Sequence, residues 1–183
     1  HRLGQEIARP QLQGAQLAIN EINTAGGVLS STNTRYKFEL RSVPASTSEE
    51  VRAALQGLAG ASASAILGPT LVSPLLANLQ IAPTVRIPQL VSASSSALIA
   101  TDATPFIFML RAADSVSAGA VGRYVTDIRG LTRVATASAT TNYAQDAIGA
   151  FNSVVRNVPL TEIVAAVSHP ATETDFTNNA KAL

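Results

Sequence analysis

A chain of 183 residues with a formal net charge of +1, its Lys and Arg scattered rather than clustered, gives no electrostatic reason to bind nucleic acid. It contains no cysteine, which excludes a disulfide frame and a thiolate metal site. Charged residues make up 14% and apolar residues 46%, a balance that suits sheets buried on both faces.

Leu12, Ala15, Ile19 and Ile22 recur at helical spacing and predict a helix over about residues 4 to 24. Gly26 and Gly27 stop it, because glycine takes the left-handed conformation that a C-terminal cap needs. A turn at Ser30 to Asn33 leads into a strand over residues 36–40. Ser48 then caps a second helix, with Glu49 and Glu50 in its first turn and Val51, Ala54, Leu55 and Leu58 on its apolar side. A short strand over 65–68 ends at Gly68, and a third helix runs from Pro74 to Ile81. The next strand is Ile87 to Val91, and Ser92 to Ser96 make the polar turn after it.

Further along, strands are predicted over 106–110, 132–137 and 160–167, and helices over 116–128 and 143–156. Another helix begins near Asp175 and Phe176. Repeated strand–helix alternation with short loops predicts an α/β protein of parallel sheets with helices on both faces. No charged residue occurs between Arg52 and Arg86, but Gly57, Gly60, Pro69, Pro74 and Pro83 interrupt any apolar helix of about 20 residues. That stretch reads as buried strand, loop and helix of a soluble protein. A break at Ala112 to Ser115, with Asp114 or Ser115 as helix cap, divides the chain into residues 1–113 and 114–183.

Most catalytic chemistries find no support. Gly26 and Gly27 are not followed by a phosphate-loop pattern, and no Gly-Lys-Ser/Thr occurs, so no nucleotide is expected. His1 is terminal, His169 precedes Pro170 in a loop read as exposed, and the acids are dispersed, so no metal ligand set forms. A Gly-x-Ser-x-Gly elbow with a histidine partner is missing. Asp114 and Asp146 lack a second carboxylate at acid–base spacing. The expectation is a protein that is not an enzyme and needs no cofactor.

The run Gly14-Ala-Gln-Leu-Ala-Ile-Asn-Glu-Ile-Asn-Thr-Ala-Gly-Gly-Val28 resembles the first helix of the type I periplasmic solute-binding proteins, the branched-chain amino acid-binding family. Ile66-Leu-Gly-Pro69 resembles that family's Ile-Ile-Gly-Pro turn, and Ile87 to Ser96 its Ile-Pro-x-Ile-Ser-x-x-Ala-Thr segment. Pro105 to Phe108 with Asp114, Leu131 to Ala135, Asn142 to Gln145, and Thr174 to Phe176 resemble later blocks in the correct order. The resemblance implies two doubly wound parallel-sheet lobes: residues 1–113 as lobe one, without its first strand, and 114–183 as the start of lobe two. It implies a periplasmic or lipid-anchored protein that binds a small amino acid-like or carboxylate solute between the lobes. That protein would deliver its solute to an ABC permease in the membrane.

The same resemblance points to site residues. In the family a serine four residues past the glycine of the first loop contacts the ligand carboxylate; here Val72 stands there and Ser73 follows it. Ser73 is thus either a ligand contact or the cap of the helix at Pro74. Ser94 supplies backbone groups, and Ser96 takes the place of the threonine that holds the ligand's α-amino and α-carboxylate groups; the alternative is a serine-rich helix cap. Tyr143 aligns with the aromatic that lobe two closes onto the ligand, against the alternative of a half-buried tyrosine at a helix start. Where the family carries an acidic pair after the second strand, Arg41-Ser-Val-Pro44 stands instead. The family's chain is roughly twice as long. The alternative expectation is therefore a truncated remnant serving as an accessory subunit of a larger complex, its exposed apolar surface covered by a protein partner. A cytosolic ligand-sensing domain of a regulator is a third.

Overall fold

The computed structural model describes residues 2–98 and 104–183; His1 lies outside the described residues. Helix α1 (Arg2–Thr24) forms as the apolar spacing predicts, with Ala15, Ile19 and Ile22 half-buried and Leu12 exposed. Its stop is also as predicted: Gly26 and Gly27 take φ of 97° and 81°, and the Gly27 amide donates to Ile22 O at 2.9 Å. Gly27 has a second reason to lack a side chain, since a Cβ there would lie 2.1 Å from Tyr36 O. That close approach seats a small antiparallel hairpin of β1 (Val28–Leu29) and β2 (Arg35–Tyr36). The predicted strand over 36–40 does not continue past Tyr36. The Asn23 side chain takes both backbone groups of Phe38, donating to its carbonyl and accepting from its amide at 2.8 Å each. A side chain thus replaces a neighbouring strand.

Helix α2 (Ser48–Gly60) is capped by Thr47 and not by Ser48. Thr47 Oγ1 accepts from the Glu50 amide at 3.2 Å, and Glu50 Oε2 accepts from the Thr47 amide at 3.0 Å and the Ser46 amide at 2.7 Å. This reciprocal box satisfies orphan donors on both sides of the helix start. Val51 and Leu55 of α2 bury against Ile66, with Ala45, Leu58, Ile81 and Ile87 around them.

Ile66 belongs to β3 (Ile66–Leu67), which ends at Gly68 and a cis Gly68–Pro69 bond. The single helix predicted from Pro74 to Ile81 is broken into α3 (Val72–Leu76), a 3₁₀ turn at Leu79–Ile81 and α4 (Ala82–Val85). Asn78 interrupts it. Its side chain is buried and donates to Ser48 O at 2.9 Å and Pro74 O at 2.8 Å, and its own backbone leaves helical geometry at φ −122° and ψ 14°. Strands β4 (Gln89–Val91) and β5 (Ile107–Met109) follow, with a 3₁₀ turn at Ser96–Leu98 between them. The three strands pair in parallel in the order β3-β4-β5. Leu75, Ala82, Val91, Ala93, Leu98 and Ile107 form the core over one face; burying each large apolar side chain contributes roughly 1.5–3 kcal/mol. The opposite face carries Leu67, Leu90 and Phe108 in register, with Leu67 57% and Phe108 51% exposed. Coverage on both faces, which the composition suggests, is met on one face here.

Beyond β5, Asp114 opens α5 (Asp114–Arg123), but the cap position is Ala113, without a side-chain bond. Neither Asp114 nor Ser115 caps the helix; Asp114 instead pairs with Arg111. The predicted helix over 116–128 changes character at its end, where Tyr124–Ile128 wind as a π turn. Thr126 Oγ1 donates back to Gly122 O at 3.1 Å in this wider turn. Strands β6 (Arg133–Ala139) and β7 (Glu162–His169) are parallel, joined by α6 (Asn142–Asn157), whose cap Thr141 accepts from the Ala144 amide at 3.2 Å. Helix α5 lies directly on α6, where Gly119 and Gly122 face Val154. Last comes α7 (Thr177–Lys181), as the Asp175 signal predicts. His169 is not a free loop residue. It ends β7, half-buried, with its ring 4.9 Å from that of Phe176 in an edge-on contact.

Candidate functional site

Ligands of parallel α/β sheets bind beyond the carboxyl ends of the strands, where loops converge. Two such loops leave β3 and β4 side by side, and α1 ties them together. Gln11 Nε2 donates to Ser92 Oγ at 2.7 Å, while Gln11 Oε1 accepts from Thr70 Oγ1 at 2.9 Å. One amide side chain therefore fixes the spacing of both loops. Nothing in the local sequence singles out Gln11, since its partners lie 59 and 81 residues away.

The loop after β4 is serine-rich and sunk into the molecule. Ser94 and Ser95 are 2% and 1% exposed, and the Ser94 hydroxyl has no hydrogen-bond partner among the described residues. Ser95 Oγ donates to Asp146 Oδ2 at 2.5 Å and accepts from the Ala97 amide at 3.3 Å. Ser96 is exposed, and its amide donates to the same Asp146 oxygen at 3.2 Å. Asp146 sits on α6, so this carboxylate joins the three-stranded sheet's loop to the helix of the β6–β7 sheet. Neither Ser95 nor Asp146 stands out in the sequence. Asp146 reads there as an isolated acid, because its partners are hydroxyl and amide donors rather than a second carboxylate.

Ser73 lies exposed in the first turn of α3, with Leu71 at the cap position, so it does not cap that helix. Helix α3 touches α6, the helix that carries Asp146. Tyr143 is 52% exposed in the first turn of α6, three residues before Asp146, and therefore on an adjoining helix face. It borders an open cleft of about 570 Å³ between α5, α6 and the end of β6. Arg111, Asp114, Ser138 and Thr141 bring polar groups to its lining, and Val121, Ile148 and Phe151 apolar ones. Asp114 is 3% exposed; one carboxylate oxygen faces Arg111 and the other has no hydrogen-bond partner among the described residues. The structure thus brings Ser95 and Ser96 to Asp146 of α6, with Ser94 buried next to them in the loop, while Tyr143 lines the neighbouring cleft.

The donors here are uncharged hydroxyls and amides, suited to hold a small anion without a lysine or arginine. Among the described residues no group of three or more His, Asp or Glu is placed to hold a metal ion. Also among the described residues, no helix is long and apolar enough to cross a membrane.

Residues 3–183 match the sequence profile of the family described as periplasmic binding protein. Among solved structures, a solute-binding protein of an ABC transporter from Rhodopseudomonas palustris, in complex with 3,4-dihydroxybenzoic acid, is similar at a TM-score of 0.76 and 21% identity, covering 97% of this chain and 47% of that one. The branched-chain amino acid transporter substrate-binding protein LivJ from Streptococcus pneumoniae, in complex with isoleucine, is similar at 0.74 and 24%, covering 92% and 46%. The leucine-binding protein LivK from Thermotoga maritima is similar at 0.72 and 19%, covering 89% and 45%. The chain spans about half the length of these structures. No curated protein matches it. The matched profile and the parallel α/β architecture together place this chain in the periplasmic binding protein family, with the type I fold of its branched-chain amino acid-binding members.

Proposed function

We propose that the chain is part of an extracytoplasmic substrate-binding protein of an ABC importer, which takes a small amino acid-like or carboxylate solute between two lobes. Residues 1–113 would form lobe one and 114–183 the beginning of lobe two, with Ala112 to Ser115 as the first crossing. The observation that carries this reading is the meeting of the Ser92–Ser96 loop with α6 across two separate sheets. A solute held there would touch both sheets' elements at once, which is what hinge closure around a ligand requires. Ser94 and Ser96 would supply hydroxyl and amide donors, Ser73 a further hydroxyl from α3, and Tyr143 an apolar wall from α6. The solute-loaded form would be the one that a membrane permease recognises, in the periplasm or at the outer surface of the membrane. The bound ligands of the R. palustris and S. pneumoniae proteins, one an aromatic acid and one an amino acid, both carry a carboxylate. Thermal unfolding with L-isoleucine and with 3,4-dihydroxybenzoate tests the reading: a ligand at 100 times its Kd stabilises by about 2.7 kcal/mol. Unchanged unfolding across a wider panel of amino acids and carboxylates would overturn it.

A second reading, an accessory subunit that no longer binds solute, is favoured by one observation. The row Leu67, Leu90 and Phe108 extends to Leu110, which is 62% exposed, so a sheet face stands open to a partner. Light scattering decides between them, since a chain that stays monomeric and soluble at high concentration argues against a required partner.

A further inference from the structure

The oxygen that joins the serine loop to α6 belongs to the protein itself. Ser95 Oγ and the Ser96 amide converge on Asp146 Oδ2, at 2.5 and 3.2 Å. Two donors converging on one carboxylate oxygen make a receptor for a carboxylate. Beside them the buried Ser94 hydroxyl has no partner among the described residues, so the loop holds one more polar group than Asp146 uses. Ser95 is almost fully buried, and the Ala97 amide donates to its oxygen, which fixes the hydroxyl to point its hydrogen at Asp146. Asp146 itself is half-buried, so its carboxylate is the more solvent-accessible partner of the Ser95 bond.

We propose that Asp146 is a built-in competitor: its carboxylate occupies the donors that a solute's carboxylate needs, and latches the serine loop to α6 until a solute displaces it. This rests on the solute-binding reading above and adds to it a specificity rule. A solute without a carboxylate gains nothing from displacing Asp146, and leaves two directed donors unpaired if it does. A solute with one exchanges a like group for a like group, so its remaining contacts decide the affinity. Removing the Asp146 carboxylate frees the donors and tightens binding of carboxylates in particular. It also loosens the solute-free contact between the two sheets' elements.

The test is amide hydrogen exchange at Ser96 in the full chain without solute, compared in wild type, Asp146→Ala and the near-isosteric Asp146→Asn. Asp146→Ala is expected to speed exchange at Ser96 about tenfold or more, as loss of a bond to a charged acceptor predicts. Asp146→Asn, which keeps an uncharged acceptor, is expected to fall between the two. Sodium acetate, as a bare carboxylate probe, is expected to restore protection in Asp146→Ala and to leave wild type unchanged at the same ionic strength. Exchange that ignores both substitutions overturns the latch, and acetate that fails to protect Ser96 in Asp146→Ala overturns the shared carboxylate position. L-Isoleucine stabilising wild type and Asp146→Ala equally would overturn the competitor while the solute-binding reading stands. Stabilisation of neither, across the amino acid and carboxylate panel, would remove that reading, with Ser96 exchange still deciding whether the latch exists.

Discussion

Gly122 on α5 and Val154 on α6 stand so close that a Cβ on the glycine would lie 3.0 Å from the valine Cβ and 3.3 Å from Phe151 O. The neighbours are a branch-point carbon and a backbone oxygen, which cannot turn aside as the tip of a long side chain can. Gly122→Ala therefore forces the helices apart and costs about 1 to 2 kcal/mol net, overpacking outweighing alanine's better helix propensity. At Gly119 the same added carbon would meet Val154 at 3.7 Å, an ordinary contact. Gly119→Ala is expected to be neutral or to stabilise by up to about 1 kcal/mol. Urea unfolding of the pair checks both signs, and equal effects would contradict the packing argument.

The capping box of α2 predicts an acid-sensitive contribution. Backbone amides of Ser46 and then Thr47 hold the Glu50 carboxyl below its ordinary value of 4.5. A carboxyl lowered on folding stabilises the native state above its unfolded value, and that contribution disappears as pH falls through the lowered folded value. Wild type is thus expected to melt above Glu50→Gln at neutral pH, and the two melting temperatures to converge as pH drops below 4.5. A constant difference down to the most acidic point would show that the carboxylate charge is not what matters.

Asn78 predicts a larger effect from a smaller group. Its side-chain amide is the partner of two backbone carbonyls, at Ser48 and Pro74, in a buried position between α2 and α3. Asn78→Ala leaves both acceptors short of a donor and removes packed volume, for a loss of about 2 to 3 kcal/mol. Asn78→Asp fares no better, because a carboxylate cannot donate to either carbonyl. Calorimetric unfolding measures both.

These cases also show which features the sequence carries openly. Local signals were readable: the apolar spacing of α1, its glycine stop, the strand–helix alternation and the positions of β3 to β7 all follow from neighbours in the chain. Two of the elements that differ are governed by partners far along the chain, and the α2 cap by a local Thr47–Glu50 box whose spacing is itself a sequence signal. Asn23 takes the backbone of Phe38 and shortens a strand; Asn78 reaches back to Ser48 and breaks a helix; Thr47 rather than Ser48 caps α2 because Glu50 closes the box on it. The site divides the same way. The serine loop and α6 are visible as family-like segments, whereas Gln11 and Asp146 become meaningful only once the fold brings Ser92, Thr70, Ser95 and Ser96 to them.

Tyr143 and Ser73 are exposed, so they separate binding from stability. Tyr143→Ala and Ser73→Ala are each expected to change unfolding free energy by less than about 0.5 kcal/mol. If they contact the solute, Tyr143→Ala weakens its binding about tenfold or more, and Ser73→Ala by less, as one hydroxyl bond is worth less than an aromatic wall. Isothermal titration of the variants alongside wild type reads both numbers. A Tyr143→Ala protein that binds as wild type would remove Tyr143 from the site.

The central claim is that the serine loop and α6 together hold a small carboxylate solute. It is tested most directly by two-dimensional NMR of the protein titrated with L-isoleucine and with 3,4-dihydroxybenzoate, following the Ser94, Ser95 and Ser96 amides and those at the start of α6. The account predicts that a bound solute shifts both groups of amides together, at one shared Kd. Shifts absent from both, or confined to a surface elsewhere, would contradict it.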